Sequence, residues 1–507
     1  MRRLALVVAL AFLPGVLAAQ SDARSVPISW WGSGIVDHLA RAGVISSDPV
    51  TRPWTRESLV EALAMSDTSG LVPVARRLIS RFRAELEPRT AAPRLSAEAG
   101  LAIAAASDAA RSPLDGLPRD AAALPAMDAS LALDLPHLAL VTHPRADRRL
   151  LRDPYSPARS GTLRGVISDE AYVGARWRHV SASFGVQPRN FGPYEADGLM
   201  LSVRPEPLDH LFVSVGPSRL RLEMLTAQLE DLPSIDSTRV ARRMFALHRL
   251  VMRPHSRLAV ALSEVALYAT SGGDSRGFEP WYLNPVNLWF LAQSNGAETA
   301  NLGFGLDVAW RASRGTELFF QGFLDDLRDE AVERAQGEPP GHAGTVGVRG
   351  GSADARWSWW TLYSWITNAA YRTPAYEEQY SFRRRGLGRD RSDTDEATLK
   401  LQRLGPWPGL VGLELTRQRR GAGDFRQAFP PVSAYADSLT FLTGVVESTW
   451  RVALSFDLFL GSAVRASGEV ALHRSSNANH VPEASRTAWV WRLRVETRAR
   501  WSRSITW

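Results

Sequence analysis

The chain has 507 residues, no cysteine, and a net charge of +7 from 60 basic and 53 acidic residues. Without thiols, disulfides and thiolate metal sites are excluded. A mean hydropathy of -0.16 argues against a helical membrane protein, yet it suits a β-barrel, whose strands give half their side chains to a polar interior.

The N-terminus reads Met1-Arg2-Arg3, an apolar run from Leu4 to Leu13, and then the small residues Val16-Leu17-Ala18-Ala19. This is the pattern of a secretory signal peptide over residues 1–18, cleaved near Ala18. No later run reaches the roughly 20 apolar residues of a membrane helix. The positive charge is almost all arginine, with Lys400 a rare exception. In an exported chain it points to lipopolysaccharide phosphates and acidic glycans rather than nucleic acid.

Residues 19–92 carry helical periodicity. Ile35, Val36 and Leu39 stop at Gly43; Thr55 is an N-cap before Leu59, Ala62 and Leu63; Val74, Leu78, Ile79 and Phe82 mark a third helix. Three short helices make a weak core alone, so they are expected to pack on the larger domain that follows.

From residue 93 to 507 the period changes to two. Leu302, Phe304, Leu306, Val308 and Trp310 alternate with polar residues, turn at Ala312 to Gly315, and return through Leu318, Phe320, Gly322 and Leu324. The same hairpin pattern joins Val452 to Leu460 with Val464 to Leu472, and Ala397 to Leu401 with Val411 to Leu415. Long polar connections separate the hairpins. Short turns at one end and long loops at the other predict a mainly β fold, an antiparallel transmembrane barrel of about 16–18 strands.

Trp489 to Trp507 is the clearest strand, with apolar odd positions against Arg492, Arg494, Glu496, Arg498 and Arg500. Its aromatic end is expected to engage the barrel assembly machinery. Because a tilted crossing takes about 9–11 residues, the membrane part is expected at Thr497 to Trp507. Trp489 to Val495, with Arg492 and Arg494, would then stand above the bilayer as a raised rim.

Several segments in order carry a family resemblance: Gly185-Val186-Gln187-Pro188-Arg189-Asn190-Phe191-Gly192-Pro193, Gly198 to Ser202, Leu262-Ser263-Glu264, Tyr282-Leu283-Asn284-Pro285, Asn301, Asp307, Phe323 to Asp326, and Gly386-Leu387-Gly388. Together they resemble the capsule assembly Wzi family of bacterial outer-membrane barrels, departing from it at Phe191, where tryptophan is expected. The resemblance implies a lectin-like barrel that helps hold exported polysaccharide at the cell surface, with periplasmic N-terminal helices.

Two candidate glycan sites follow from the residues. Arg383, Arg384, Arg385, Arg389 and Arg391 cluster in an outer loop, where forked guanidinium bonds suit acidic sugars. In the loop from Trp281 to Asn301, Trp281 and Tyr282 can stack on sugar rings, and Asn284 and Asn287 can bond hydroxyls; the competing reading folds this loop into the barrel as a plug. Glu264, Asn301, Asp307, Arg311, Asp325 and Asp326 are read as a polar lattice lining the lumen, with inward charges paired. Gly273-Asp274-Ser275-Arg276-Gly277 matches a nucleophile pattern, but Pro280 follows where a helix is required. No metal spacing is present, and no cofactor is expected. The expected role is non-catalytic binding of surface polysaccharide in the outer membrane, in contact with lipid and lipopolysaccharide. The alternative is a pore for small solutes or exported glycan.

Overall fold

The computed structural model describes residues 22–86, 93–107, 114, 122–233, 240–271, 279–291, 300–325, 341–373, 376–427 and 441–505. Three helices come first: α1 Ser33–Arg41, α2 Arg56–Ala64 and α3 Pro73–Leu86. α1 buries Ile35, Val36 and Leu39 and gives way at Gly43, where φ is +70° and a Cβ would lie 1.8 Å from the Arg314 carbonyl oxygen. Only glycine fits there. Thr55 caps α2, its side chain accepting the Ser58 N–H at 3.2 Å. Phe82 of α3 packs edge-on to Phe459, 5.9 Å between rings, and Leu404 and Leu410 join the same core. The helices thus bury their apolar faces against one end of the sheet.

That sheet is a closed antiparallel barrel of 18 strands. The strands are β1 Arg94–Ala106, β2 Ala122–Asp134, β3 Leu138–Asp147, β4 Val166–Arg176, β5 Val180–Val186, β6 Asp209–Val215, β7 Leu220–Gln228, β8 Val240–His255 and β9 Leu258–Ser271. They continue as β10 Asn301–Ser313, β11 Thr316–Asp325, β12 Gly341–Gly351, β13 Trp357–Ile366, β14 Thr394–Leu404, β15 Gly409–Arg420, β16 Glu447–Leu460, β17 Val464–Ser476 and β18 Ser485–Ser504. Each pairs with its sequence neighbour, and β1 closes on β18 from Arg94↔Ser504 to Ala106↔Arg492. The three hairpins read from the sequence are β10–β11, β14–β15 and β16–β17.

Tight turns at 256–257, 314–315, 405–408 and 461–463 lie at the helical end, and long connections such as 148–165, 187–208 and 367–393 lie at the other. Alternation turns Leu399, Leu413, Val452 and Leu454 outward, where they are exposed, while Thr398, Thr416, Thr449 and Arg451 are buried inside. Exposed Trp450 and Trp489 ring the long-loop end, and Trp310, Trp407 and Trp501 ring the other, the aromatic girdles of a membrane barrel.

The last strand corrects one expectation. Val464, the first residue of β17, pairs with Thr497, so the neighbouring crossing runs beside Trp489 to Thr497 and not below it. The lipid-facing stretch of β18 is bracketed by Trp489 and Trp501, and Arg492 and Arg494 line an internal cavity rather than a raised rim.

Candidate functional site

The lumen is filled largely by the chain itself. Thr51–Arg52, entering from the helical end, pair antiparallel with Asn190–Phe191 of the 187–208 loop, entering from the other. A third insertion, 367–393, packs Tyr371, Tyr380 and Leu387 on Leu199, Met200 and Leu201. The tyrosine hydroxyls donate to the Leu199 and Met200 carbonyls at 2.7 Å. A Cβ on Gly388 would stand 1.9 Å from the Leu199 oxygen, which accounts for glycine in that segment.

Where these insertions meet the wall, charges are paired as burial demands. Arg249, fully buried, donates to Asp307 at 2.8 Å and to Thr51 and Ser263 at 3.1 Å, and lies 3.3 Å from Glu223. Gln321 bridges Asp307 (2.7 Å) to the Phe191 carbonyl (2.8 Å). Asn301 bonds the Glu378 carbonyl at 3.2 Å, Asp325 accepts the Tyr371 N–H at 2.6 Å, and Arg311 reaches Glu317 at 3.4 Å. Asp326 and the 273–277 motif lie outside the described residues.

Glu264 is the exception among these lattice candidates. It alternates with Ser263, whose hydroxyl meets Arg249 inside, so its side chain points to the outer wall beside exposed Leu262. The stretch 279–291 follows it there. Tyr282 is buried against Tyr268, 4.4 Å between rings, while Trp281 and Asn284 are exposed and Asn287 is half-buried. Among the described residues, the stretch 279–291 therefore neither enters the lumen nor reaches the Arg383–Arg391 cluster; its four candidates sit on the barrel's exterior.

The arginine cluster divides in two. Arg385 is buried, 2.7 Å from Asp153 and 3.0 Å from Asp390. Arg389 turns inward to Thr345 (3.2 Å) and Ser364 (3.3 Å). Asp197 is half-buried, and its partial desolvation opposes its charge, but Arg204, Arg389 and Arg391 hold it below the usual carboxylate range. Arg383 and Arg384 remain exposed, and among the described residues neither makes an ion pair. They occupy the two-residue turn of the Phe382–Arg385 pairing with φ of 51° and 62°. That conformation normally calls for Asn-Gly. Glu230 accepts the Arg383 N–H at 2.6 Å, and Arg426 donates to the Arg384 carbonyl at 2.9 Å. Below, the guanidinium groups of Arg384, Arg385 and Arg426 stand 5.7, 5.2 and 5.4 Å from the Tyr155 ring. Asp153, Tyr155, Glu230 and Arg426 are remote in sequence and carry no local motif.

No family model and no curated protein matches the sequence. Among solved structures the chain is similar to Wzi of Escherichia coli, described as an outer membrane protein involved in group 1 capsule assembly and a carbohydrate-binding β-barrel. The identity is 13% and the TM-score 0.63, over 91% of this chain and 96% of that one. The fold is that of a bacterial outer-membrane barrel. Two Pseudomonas aeruginosa barrels match less well: OccD3 at 9% identity and TM-score 0.46 (80% of this chain, 91% of that one), and a variant of OccD1 (OprD) at 10% and 0.44 (80% and 95%).

Beside the insertions, this barrel keeps an internal cavity of about 900 Å³ lined by both signs of charge. Arg465 pairs with Asp457 (2.6 Å) and Glu496 (3.2 Å), Arg145 with Asp169 (2.7 Å), and His143 with Asp128 (3.1 Å). A second cavity of about 450 Å³ at the helical end shares Ser29, His143, Glu170 and Arg498 with the first. Arg492, Arg494, Glu496 and Arg498 of the last strand line this cavity, the first two in place of the raised rim expected of them; their partners on other strands could not be read locally.

Proposed function

We propose that the protein is exported by a signal at residues 1–18, assembles in the bacterial outer membrane through its C-terminal strand, and binds surface polysaccharide at its outer mouth without catalysis. The observation that carries this reading is the pair Arg383–Arg384. Left-handed φ costs a non-glycine residue about 1–2 kcal/mol, and such strain concentrates at binding sites. Here the turn residues are long, cationic and exposed, with their backbone clamped by Glu230 and Arg426. Fixed guanidinium forks above an aromatic ring suit the carboxylates and ring faces of acidic sugars. The description of Wzi as a carbohydrate-binding barrel supports carrying that role, and the part in capsule assembly, to this chain.

Titration of the purified barrel with acidic and neutral capsular polysaccharides tests the proposal. Acidic glycan is expected to bind in a salt-sensitive manner, and equal affinity for neutral glycan refutes it. The shared lining of the two cavities favours a second reading, a narrow pore for small solutes. Stable conductance steps in planar bilayers, with no glycan binding, would select it.

A further inference from the structure

His248 and Glu264 face each other across β8 and β9, 2.8 Å apart, on the same outward face as exposed Leu250 and Leu262. A carboxylate and an imidazole on a lipid-facing wall are costly polar groups, so something must cover them. The chain from the long-loop end does so. Glu264 accepts the backbone N–H groups of Trp289 (3.0 Å) and Phe290 (2.7 Å), and the Trp289 ring stacks on the imidazole at 4.2 Å.

The cover leaves a gap beside it. A groove of about 890 Å³ runs along the outer wall from Pro285–Leu288 past Phe304 and Gly322 to His342 and Trp365. Two outward-facing glycines shape it. A Cβ on Gly322 would come within 3.0 Å of the Phe320 ring, and one on Gly344 would strike the Trp365 ring at 2.1 Å. The volume falls in the range of pockets that hold a ligand, about 300–1,000 Å³.

Position names the medium. The groove is continuous with the exposed, lipid-facing Leu250, Leu262, Leu306 and Leu324. Leu324, His342 and Trp365 stand at the long-loop ends of their strands, which places the groove in the outer leaflet. Its chemistry is more than apolar. His248 is buried and lines the groove, yet among the described residues its Nδ1 has no hydrogen-bond partner. A plain hydrocarbon tail leaves it unsatisfied, at a cost. A chain bearing amide, ester or hydroxyl groups does not.

We infer that this groove is a specific binding site for an acyl chain of lipopolysaccharide, with His248 bonding the polar linkage of the chain. The site is separate from the arginine turn and independent of what that turn binds.

Native mass spectrometry of the full-length, delipidated barrel in mild detergent tests it, with purified lipopolysaccharide and phosphatidylethanolamine as probes. One lipopolysaccharide is expected to be retained per barrel in preference to phospholipid. His248→Phe is expected to weaken that about tenfold, the worth of one hydrogen bond, and Gly322→Leu to abolish it by filling the groove. Heat-modifiable gel migration reports folding of both variants, and if Gly322→Leu fails to fold, His248→Phe decides. Lipopolysaccharide binding unchanged in folded His248→Phe, equal retention of phospholipid, or no retained lipid overturns the inference.

Discussion

Replacing Arg383-Arg384 by Asn-Gly separates binding from stability, because the two effects have opposite signs. The native turn holds both arginines at left-handed φ, which at about 1–2 kcal/mol each stores roughly 2–4 kcal/mol. Asn-Gly is the preferred sequence for such a turn and removes most of that. Two losses offset the gain. The guanidinium groups lie 4.9 Å from the Phe382 ring and 5.7 Å from the Tyr155 ring, contacts worth about 0.5–1 kcal/mol each at exposed sites. Glycine also adds unfolded-chain entropy, roughly 0.5–1 kcal/mol. The net expectation is a barrel more stable by about 1 kcal/mol, read as a raised urea midpoint in lipid vesicles. Affinity for acidic polysaccharide moves the other way. Two charge-assisted contacts, discounted for exposure, are worth about 1–3 kcal/mol together, a loss of roughly 5- to 150-fold by titration calorimetry at low salt. A variant that binds like the native barrel refutes the role of the turn in recognition. A less stable variant refutes the strain argument.

Three further outcomes are expected. Arg249→Met leaves Asp307 without its cation in the closed lumen and is expected to destabilise the barrel by about 3–5 kcal/mol, seen as a lowered temperature for loss of heat-modifiable migration; a neutral effect would mean the lattice is not closed to water. His38 is buried in the helical segment, and that burial lowers its pKa from 6.5 to about 4. The folded state therefore refuses a proton that the unfolded segment accepts, so stability is complete above pH 6.5 and falls by about 3 kcal/mol as pH drops toward 4. Hydrogen-exchange protection factors of α1, corrected for the intrinsic pH dependence of amide exchange, are expected to fall over that window, and pH-independent protection contradicts it. Excising residues 190–201 removes the outer insertion from the lumen and is expected to raise single-channel conductance well above that of the native barrel; equal conductance would mean that the insertion does not obstruct the path.

The barrel was legible because its strands obey a rule that needs no partner: alternation sends Leu413 and Leu415 to lipid and Thr416 to the lumen whatever the neighbouring strand carries. The caps and stops of the helices, Thr55 and Gly43, are local for the same reason. Depth in the bilayer is not local. The extent of the lipid-facing stretch of β18 was misjudged because it depends on where β17 begins, a pairing that one strand does not encode.

Glu264 shows where the same rule was available and overridden by expectation. Its neighbours Leu262 and Ala266 are apolar and Ser263 is polar, so alternation alone assigns it to the lipid face. A carboxylate in a barrel strand suggested the lumen instead, since hydrocarbon penalises charge. The penalty is met differently here, by His248 across the strand and by two backbone N–H groups from a loop some 25 residues on, returning down the outside of the wall. A charged residue that violates the alternation of its own strand therefore signals added structure on the lipid face. In this chain the same strands that bear the violation also border the outer-wall groove, so the covering loop and the lipid site share one cause.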